Sequence, residues 1–133
     1  MNKKKLEMLN EYLKNTNIPV LVEDIPLEIF SDYVIIPSDI NFKELDGHYE
    51  KTEYCPPSWY TSLVDKYKEN KAILVITNIN KISKNDQEKF VEILKYKKVS
   101  TFDLAKNVRI ILTANNLKEN EISEEIYSLL AHI

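Results

Sequence analysis

Residues 72–76, Ala-Ile-Leu-Val-Ile, form the most strongly apolar run in the chain. A strand with one face in water alternates apolar and polar side chains. A run without alternation reads as a strand covered on both faces, the situation of central strands in a parallel sheet. Such a sheet needs partner strands, and residues 18–22, 33–36 and 108–113 supply three more short apolar, β-branched runs. It also needs helices over its faces. Residues 3–14 place Leu6, Leu9, Tyr12 and Leu13 on one helical stripe. From Trp59, the apolar Leu63, Val64 and Tyr67 lie opposite Asp65, Lys66, Lys68 and Glu69, with Asn70 closing the helix. Ser83, with Asp86 three residues on, opens a helix that buries Phe90, Ile93 and Leu94 and runs to about Tyr96. Ser123 caps a last helix with Glu124 and Glu125 in its first turn and Ile126, Leu129 and Leu130 inward, and residues 131–133 begin a further element. Strands alternating with helices predict a three-layer α/β/α sandwich around a mostly parallel sheet, with residues 1–133 as one domain.

Two connections stand out. Only about ten residues join the runs at 18–22 and 33–36, short for a parallel crossover with its helix, so residues 24–32 hold one turn of helix or the strand at 33–36 pairs differently. Residues 38–57, broken by Gly47 and the Pro56-Pro57 pair, predict no long element.

A chain of 133 residues buries roughly two-thirds of its unfolded surface, so its core needs no metal or disulfide. Cys55 is the single cysteine and has no internal partner. No apolar run approaches the ~20 residues that cross a bilayer, and Lys3, Lys4 and Lys5 lead into a helical pattern rather than a signal-peptide core. The expectation is a reduced, cytoplasmic compartment without membrane attachment. The net charge of −3 argues against a dedicated duplex-binding module. Gly47 is the one glycine and Arg109 the one arginine among 18 basic residues, a poor supply for loops that cradle phosphate and for arginines that clamp it. The excess of Lys, Asn and Ile is that of an AT-rich genome, pointing to a bacterial or phage source.

The second half carries a resemblance. Residues 73–82, Ile-Leu-Val-Ile-Thr-Asn-Ile-Asn-Lys-Ile, resemble the Walker B strand of MoxR-type and dynein-related AAA+ ATPases, and residues 107–116, Asn-Val-Arg-Ile-Ile-Leu-Thr-Ala-Asn-Asn, are similar to their sensor-1 strand. Residues 129–133, Leu-Leu-Ala-His-Ile, resemble the family's Leu-Leu-Ser-Arg-Phe, and residues 38–49 more distantly resemble its second strand and the loop beyond. The resemblance implies a P-loop NTPase-like AAA+ core, with residues 17–22 as the strand that leads into the phosphate loop. Where the family has glycines followed by Gly-Lys-Ser/Thr, this chain reads Glu23-Asp24-Ile25-Pro26-Leu27-Glu28. The Walker B carboxylates are matched by Thr77 and Asn78, neither a charged metal ligand nor a general base. The arginine finger is matched by His132, and Asn115 keeps the sensor-1 polar group. The family's C-terminal lid has no counterpart, so the expected fold is an AAA+ core without P-loop or lid.

The function this implies is a catalytically inactive AAA+-like domain acting through a protein partner, with an active AAA+ relative as one such partner. The alternatives are a nucleic-acid-associated accessory factor and a domain that binds ATP without hydrolysing it. No cofactor, catalytic residue or metal ligand is assigned, and homo-oligomerisation is left open. Tyr54, Trp59 and Tyr60, with Tyr49 and Pro56-Pro57 nearby, read as a partner surface or as packing over the sheet edge. Lys95, Lys97 and Lys98 around Tyr96 read as phosphate contacts or as lysines that suit a helix C-terminus. Glu23, Asp24 and Glu28 read as surface charge, lacking the rhythm of a calcium loop. His48 and His132 show no Cys or carboxylate pattern at zinc-ligand spacing, and Cys55 has only His48 near it in sequence as a base.

Overall fold

A computed structural model describes residues 3–67, 72–100 and 102–133, so the predicted helix stop at Asn70, with Lys68 and Glu69, lies outside the described residues, as does the Tyr67 side chain. Helix α1 (Lys3–Asn15) precedes strand β1 (Val20–Glu23), a single 3-10 turn (Leu27–Phe30) and strand β2 (Val34–Pro37). A short helix α2 (Phe42–Asp46) and a hairpin of β3 (His48–Glu50) with β4 (Glu53–Cys55) lead to α3 (Ser58–Tyr67). Strand β5 (Ile73–Thr77) opens a helical run: a 3-10 turn (Ile79–Lys81), α4 (Lys84–Gln87), a second 3-10 turn (Glu88–Phe90) and α5 (Val91–Tyr96). A tight hairpin of β6 (Lys98–Val99) and β7 (Phe102–Asp103) follows, then β8 (Arg109–Ala114), α6 (Glu124–Tyr127) and β9 (Ala131–His132).

Five strands form one parallel sheet in the order β2-β5-β8-β1-β9. Its three central strands alternate between two buried faces, as a period of two requires. Leu21, Leu74, Ile76, Ile110 and Leu112 face one core, with Trp59 and Leu63 of α3 and Phe90, Ile93 and Leu94 of the helical run. Val20, Val22, Val75 and Ile111 face the other, with Leu9 of α1 and Ile25 and Phe30 of the crossover. The predicted three layers are therefore present, and no helix among the described residues is long and apolar enough to cross a membrane.

The short connection from β1 to β2 is made by one 3-10 turn, and β2 pairs in parallel with β5. From β1 to β2 is three strand spacings, about 15 Å, which ten residues of extended chain span easily. The geometry asks for reach, not for a full helix. The position of β2 corrects one expectation: it is an edge strand with Ile35 42% exposed, not a strand buried on both faces. Between Ser83 and Tyr96 the helix is likewise not uniform, since a 3-10 turn divides it. Both predicted caps are made: Ser83 Oγ accepts from Asp86 N at 3.2 Å, and Ser123 Oγ from Ile126 N at 3.2 Å. The last helix is only one turn long, and Leu129 and Leu130 pack on the core from the segment beyond it.

Trp59 is a core residue. It is 6% exposed and its indole N–H donates to the Leu45 carbonyl at 2.9 Å, because the amphipathic spacing of α3 turns it onto the sheet. This removes it from the candidate partner surface.

Lys97 ends α5 in the left-handed region at φ 51°, and its ammonium donates to the carbonyls of Val108 at 2.6 Å and Lys106 at 3.1 Å. Burial, then the like charge of Arg109, holds its pKa below the usual 10.5. The folded chain thus binds this proton less tightly than the unfolded chain, so stability rises as pH climbs through the folded pKa towards 10.5. Thermal midpoints measured across that window should show the rise, and the part of it due to Lys97 should be absent in Lys97→Met.

Candidate functional site

The carboxyl ends of parallel strands are where open α/β sheets bind ligands. In this chain the ends of β1, β5 and β8 lie side by side, with Glu23 opposite Ala114 and Ile76 opposite Leu112. The chain leaves these strands through Asp24, Asn78 and Asn116, at φ values of 56°, 54° and 51°. With a single glycine in the sequence, left-handed turns fall to the residues that tolerate them next best, Asn and Asp.

Their side chains knit the strand ends together. Asn115 Nδ2 donates to Asn78 Oδ1 at 2.9 Å, Asn80 Nδ2 donates to the Asn115 carbonyl at 2.8 Å, and Asn115 N donates back to Asn80 Oδ1 at 3.3 Å. Below them the Asn78 backbone is held from both sides. Its N–H donates to Thr113 Oγ1 at 2.9 Å, and its carbonyl accepts from Ser38 Oγ at 2.8 Å. Thr77 is 6% exposed, and its hydroxyl takes no part in these bonds. Of the positions matched to the Walker B pair and sensor 1, Asn78 and Asn115 therefore meet, as neutral amides that satisfy one another, while the Thr77 side chain stays outside the pairing.

Two carboxylates reach this edge. Asp24 Oδ1 accepts from Asn116 N at 2.8 Å, and Glu121 accepts from Lys118 N and, at 3.5 Å, from Asn80 Nδ2. Both pin loops. Lys5 of α1 brings an ammonium to the end of β1, where it donates to the Glu23 carbonyl at 2.6 Å. The segment after β1 does not arch over the strand ends: Ile25 (6% exposed) and Phe30 (1% exposed) fold it down onto the core, where an anion-binding loop would have to stand open.

Gln87 is a residue that sequence reasoning missed. Fully buried, it donates to the carbonyls of Ile79, Ile82 and Glu121 at 3.3, 3.3 and 2.7 Å and accepts from Ser123 N at 2.8 Å. It thereby joins the segment after β5 to the segment after β8. Its signal in the sequence is faint, an amide on the inner side of an amphipathic helix.

The remaining candidates fall elsewhere. His132 is exposed on the edge strand β9, paired in register with Leu21, its ring 4.4 Å from that of Tyr127 in an edge-to-face contact. Tyr54 and Tyr60 are half-buried and both pack on Phe102, at 6.1 and 4.2 Å between centroids, and Tyr49 joins them at 5.3 Å from Tyr54. Of the lysine group, Lys97 is tied to backbone carbonyls and Lys95 lies 5.4 Å above the Tyr96 ring. Cys55 and His48 face each other across the β3–β4 hairpin with Glu50 alongside, a grouping that the sequence reading of His48 did not anticipate.

No protein-family profile and no curated protein matches this sequence. Solved structures do match. A proposed ATPase from Cytophaga hutchinsonii superposes with a TM-score of 0.61 at 15% identity, covering 97% of this chain and 46% of that one. NtrX from Brucella abortus superposes with a TM-score of 0.59 at 13% identity, covering 99% of this chain and 37% of that one. The chain thus spans less than half the length of either. At these identities the likeness defines the fold alone, a three-layer α/β fold around a parallel sheet that this chain shares with both.

Proposed function

We propose that this chain is an AAA+-like domain without nucleotide hydrolysis that acts by binding a protein partner, an active AAA+ ATPase being the partner that the shared fold favours. The observation that carries the reading is the mutual pairing of Asn78, Asn80 and Asn115 at the strand ends. Hydrolysis needs carboxylates there to hold Mg²⁺ and activate water, and amides supply neither charge nor base. The burial of Ile25 and Phe30 supports it, because the phosphate loop has given way to core.

A partner-binding face fits the segment that follows β8 and its asparagines. Tyr127, 49% exposed, lines a groove of about 520 Å³ together with Leu117 and Ile122, and His132, at the position matched to the family's interface arginine, stacks against it. An exposed aromatic beside an apolar groove is the usual anchor of a protein interface.

Two experiments test this reading. The variant Thr77→Asp/Asn78→Glu returns both carboxylates and is expected to show no ATPase activity above the buffer rate, since the phosphates still have no cradle. Mixing the chain with an active AAA+ ATPase of the same genome should change that enzyme's ATPase rate, and Tyr127→Ala should weaken the effect about tenfold. An unchanged rate at saturating chain would remove the partner half of the reading.

A further inference from the structure

We propose that the β3–β4 hairpin is a binding site for a borderline transition-metal ion, Zn²⁺ in the first instance, with His48, Glu50 and Cys55 as ligands. In an antiparallel pair, residues directly opposite share a face, and so do residues two apart on one strand. His48 stands opposite Cys55, and Glu50 lies two residues along from His48. One imidazole nitrogen, one thiol sulfur and one carboxylate oxygen consequently lie within 4.8 Å of one another. His48 Nε2 and Glu50 Oε1 are already 3.5 Å apart.

Tetrahedral zinc, with bonds of about 2.0–2.3 Å, sets its ligand atoms roughly 3.3–3.7 Å from each other. Modest side-chain rotation closes the remaining gap while the backbone stays in place. Glu53, opposite Glu50 and so on the same face, is placed to accept from a metal-bound water in the fourth position. Calcium and magnesium prefer all-oxygen sites, whereas a mixed N/O/S set selects zinc and its neighbours.

The hairpin is built to hold this arrangement. Gly47, at φ 82°, turns the chain straight from α2 into β3, which sets His48 against Cys55, and the Tyr54 hydroxyl ties the facing strand to the Asp46 carbonyl. His48 and Cys55 are half-buried and Glu50 is exposed, so an ion reaches the group from solvent. The site lies outside the asparagine network at the strand ends and does not depend on what that network does.

The test is titration of the reduced, metal-free full chain with Co²⁺ and Zn²⁺. The expected result is one equivalent of Co²⁺ per chain with a thiolate-to-cobalt charge-transfer band, displaced by Zn²⁺, and a thermal midpoint that rises with Zn²⁺. Cys55→Ser should abolish the band, and His48→Gln should weaken Zn²⁺ binding at least tenfold. Cys55 labelling by a thiol reagent should slow under Zn²⁺ in the parent and not in His48→Gln, a readout taken on the native fold. Absence of the band at excess Co²⁺, binding unchanged in both variants, or one ion per two chains would each overturn the assignment.

Discussion

Replacing Gln87 with leucine is expected to lower stability by about 3–5 kcal/mol, because it strips partners from several buried backbone groups at once. The substitution keeps the side chain near its original volume, so the loss does not come from a cavity. It comes from the Glu121 carbonyl, the Ile79 and Ile82 carbonyls that share the second N–H of the amide, and the buried N–H of Ser123. Each unpaired buried group costs about 1–3 kcal/mol, and some relief by water keeps the total below the full sum. For a chain of this size the thermal midpoint should fall by about 10 °C or more. Denaturant unfolding should show a lower midpoint with an unchanged slope. A loss under about 1 kcal/mol would mean that water replaces the amide at no cost, and that Gln87 does not hold the two segments together.

Gly47→Ala carries the second large effect. Gly47 sits at φ 82° and ψ −172°, a combination essentially reserved for glycine, which costs other residues about 1–3 kcal/mol. A Cβ there would also lie 2.5 Å from the Cys55 carbonyl oxygen and 2.7 Å from the Tyr54 hydroxyl. The first of these contacts is backbone and has little room to yield. We expect a loss of about 3 kcal/mol or more, with the β3–β4 hairpin displaced. Asn116→Gly is the counter-case: at φ 51° glycine is as comfortable as asparagine, and stability should change by less than about 1 kcal/mol. Equal effects from the two substitutions would show that the hairpin tolerates strain at Gly47.

Much of the fold was legible because burial on both faces of a parallel sheet writes long apolar runs. The segments at 18–22, 72–76 and 108–113 each lie within one or two residues of β1, β5 and β8. Ser83 and Ser123 were readable as caps because the hydroxyl that closes a helix N-terminus sits at a fixed offset from the N–H it accepts. The exposure of Ile35 was not readable, since an edge strand differs from a central one only in having no second neighbour, a fact of topology. Trp59 stayed open between partner surface and packing because an aromatic cluster near prolines looks the same in sequence whether or not a sheet lies beneath it, and its burial decides for packing.

The candidate site was legible in part. The resemblance set Thr77, Asn78 and Asn115 together, and the hydrogen bond between Asn115 and Asn78 joins two of them in space. Asn80 and Gln87 escaped notice because their roles lie in pairing with backbone groups about 35 residues away. His48 and Cys55 were read together only as a remote base and thiol, because their seven-residue separation becomes direct apposition, with Glu50 alongside, only once the hairpin fixes its register.

The central claim is that the strand ends no longer bind or process nucleotide. Calorimetric titration of the chain with Mg-ATP and Mg-ADP at low salt tests it most directly. The account predicts no heat of binding at millimolar nucleotide. Micromolar binding, weakened by substitutions at Asn78 or Asn115, would contradict it and return the strand ends to use as a phosphate site.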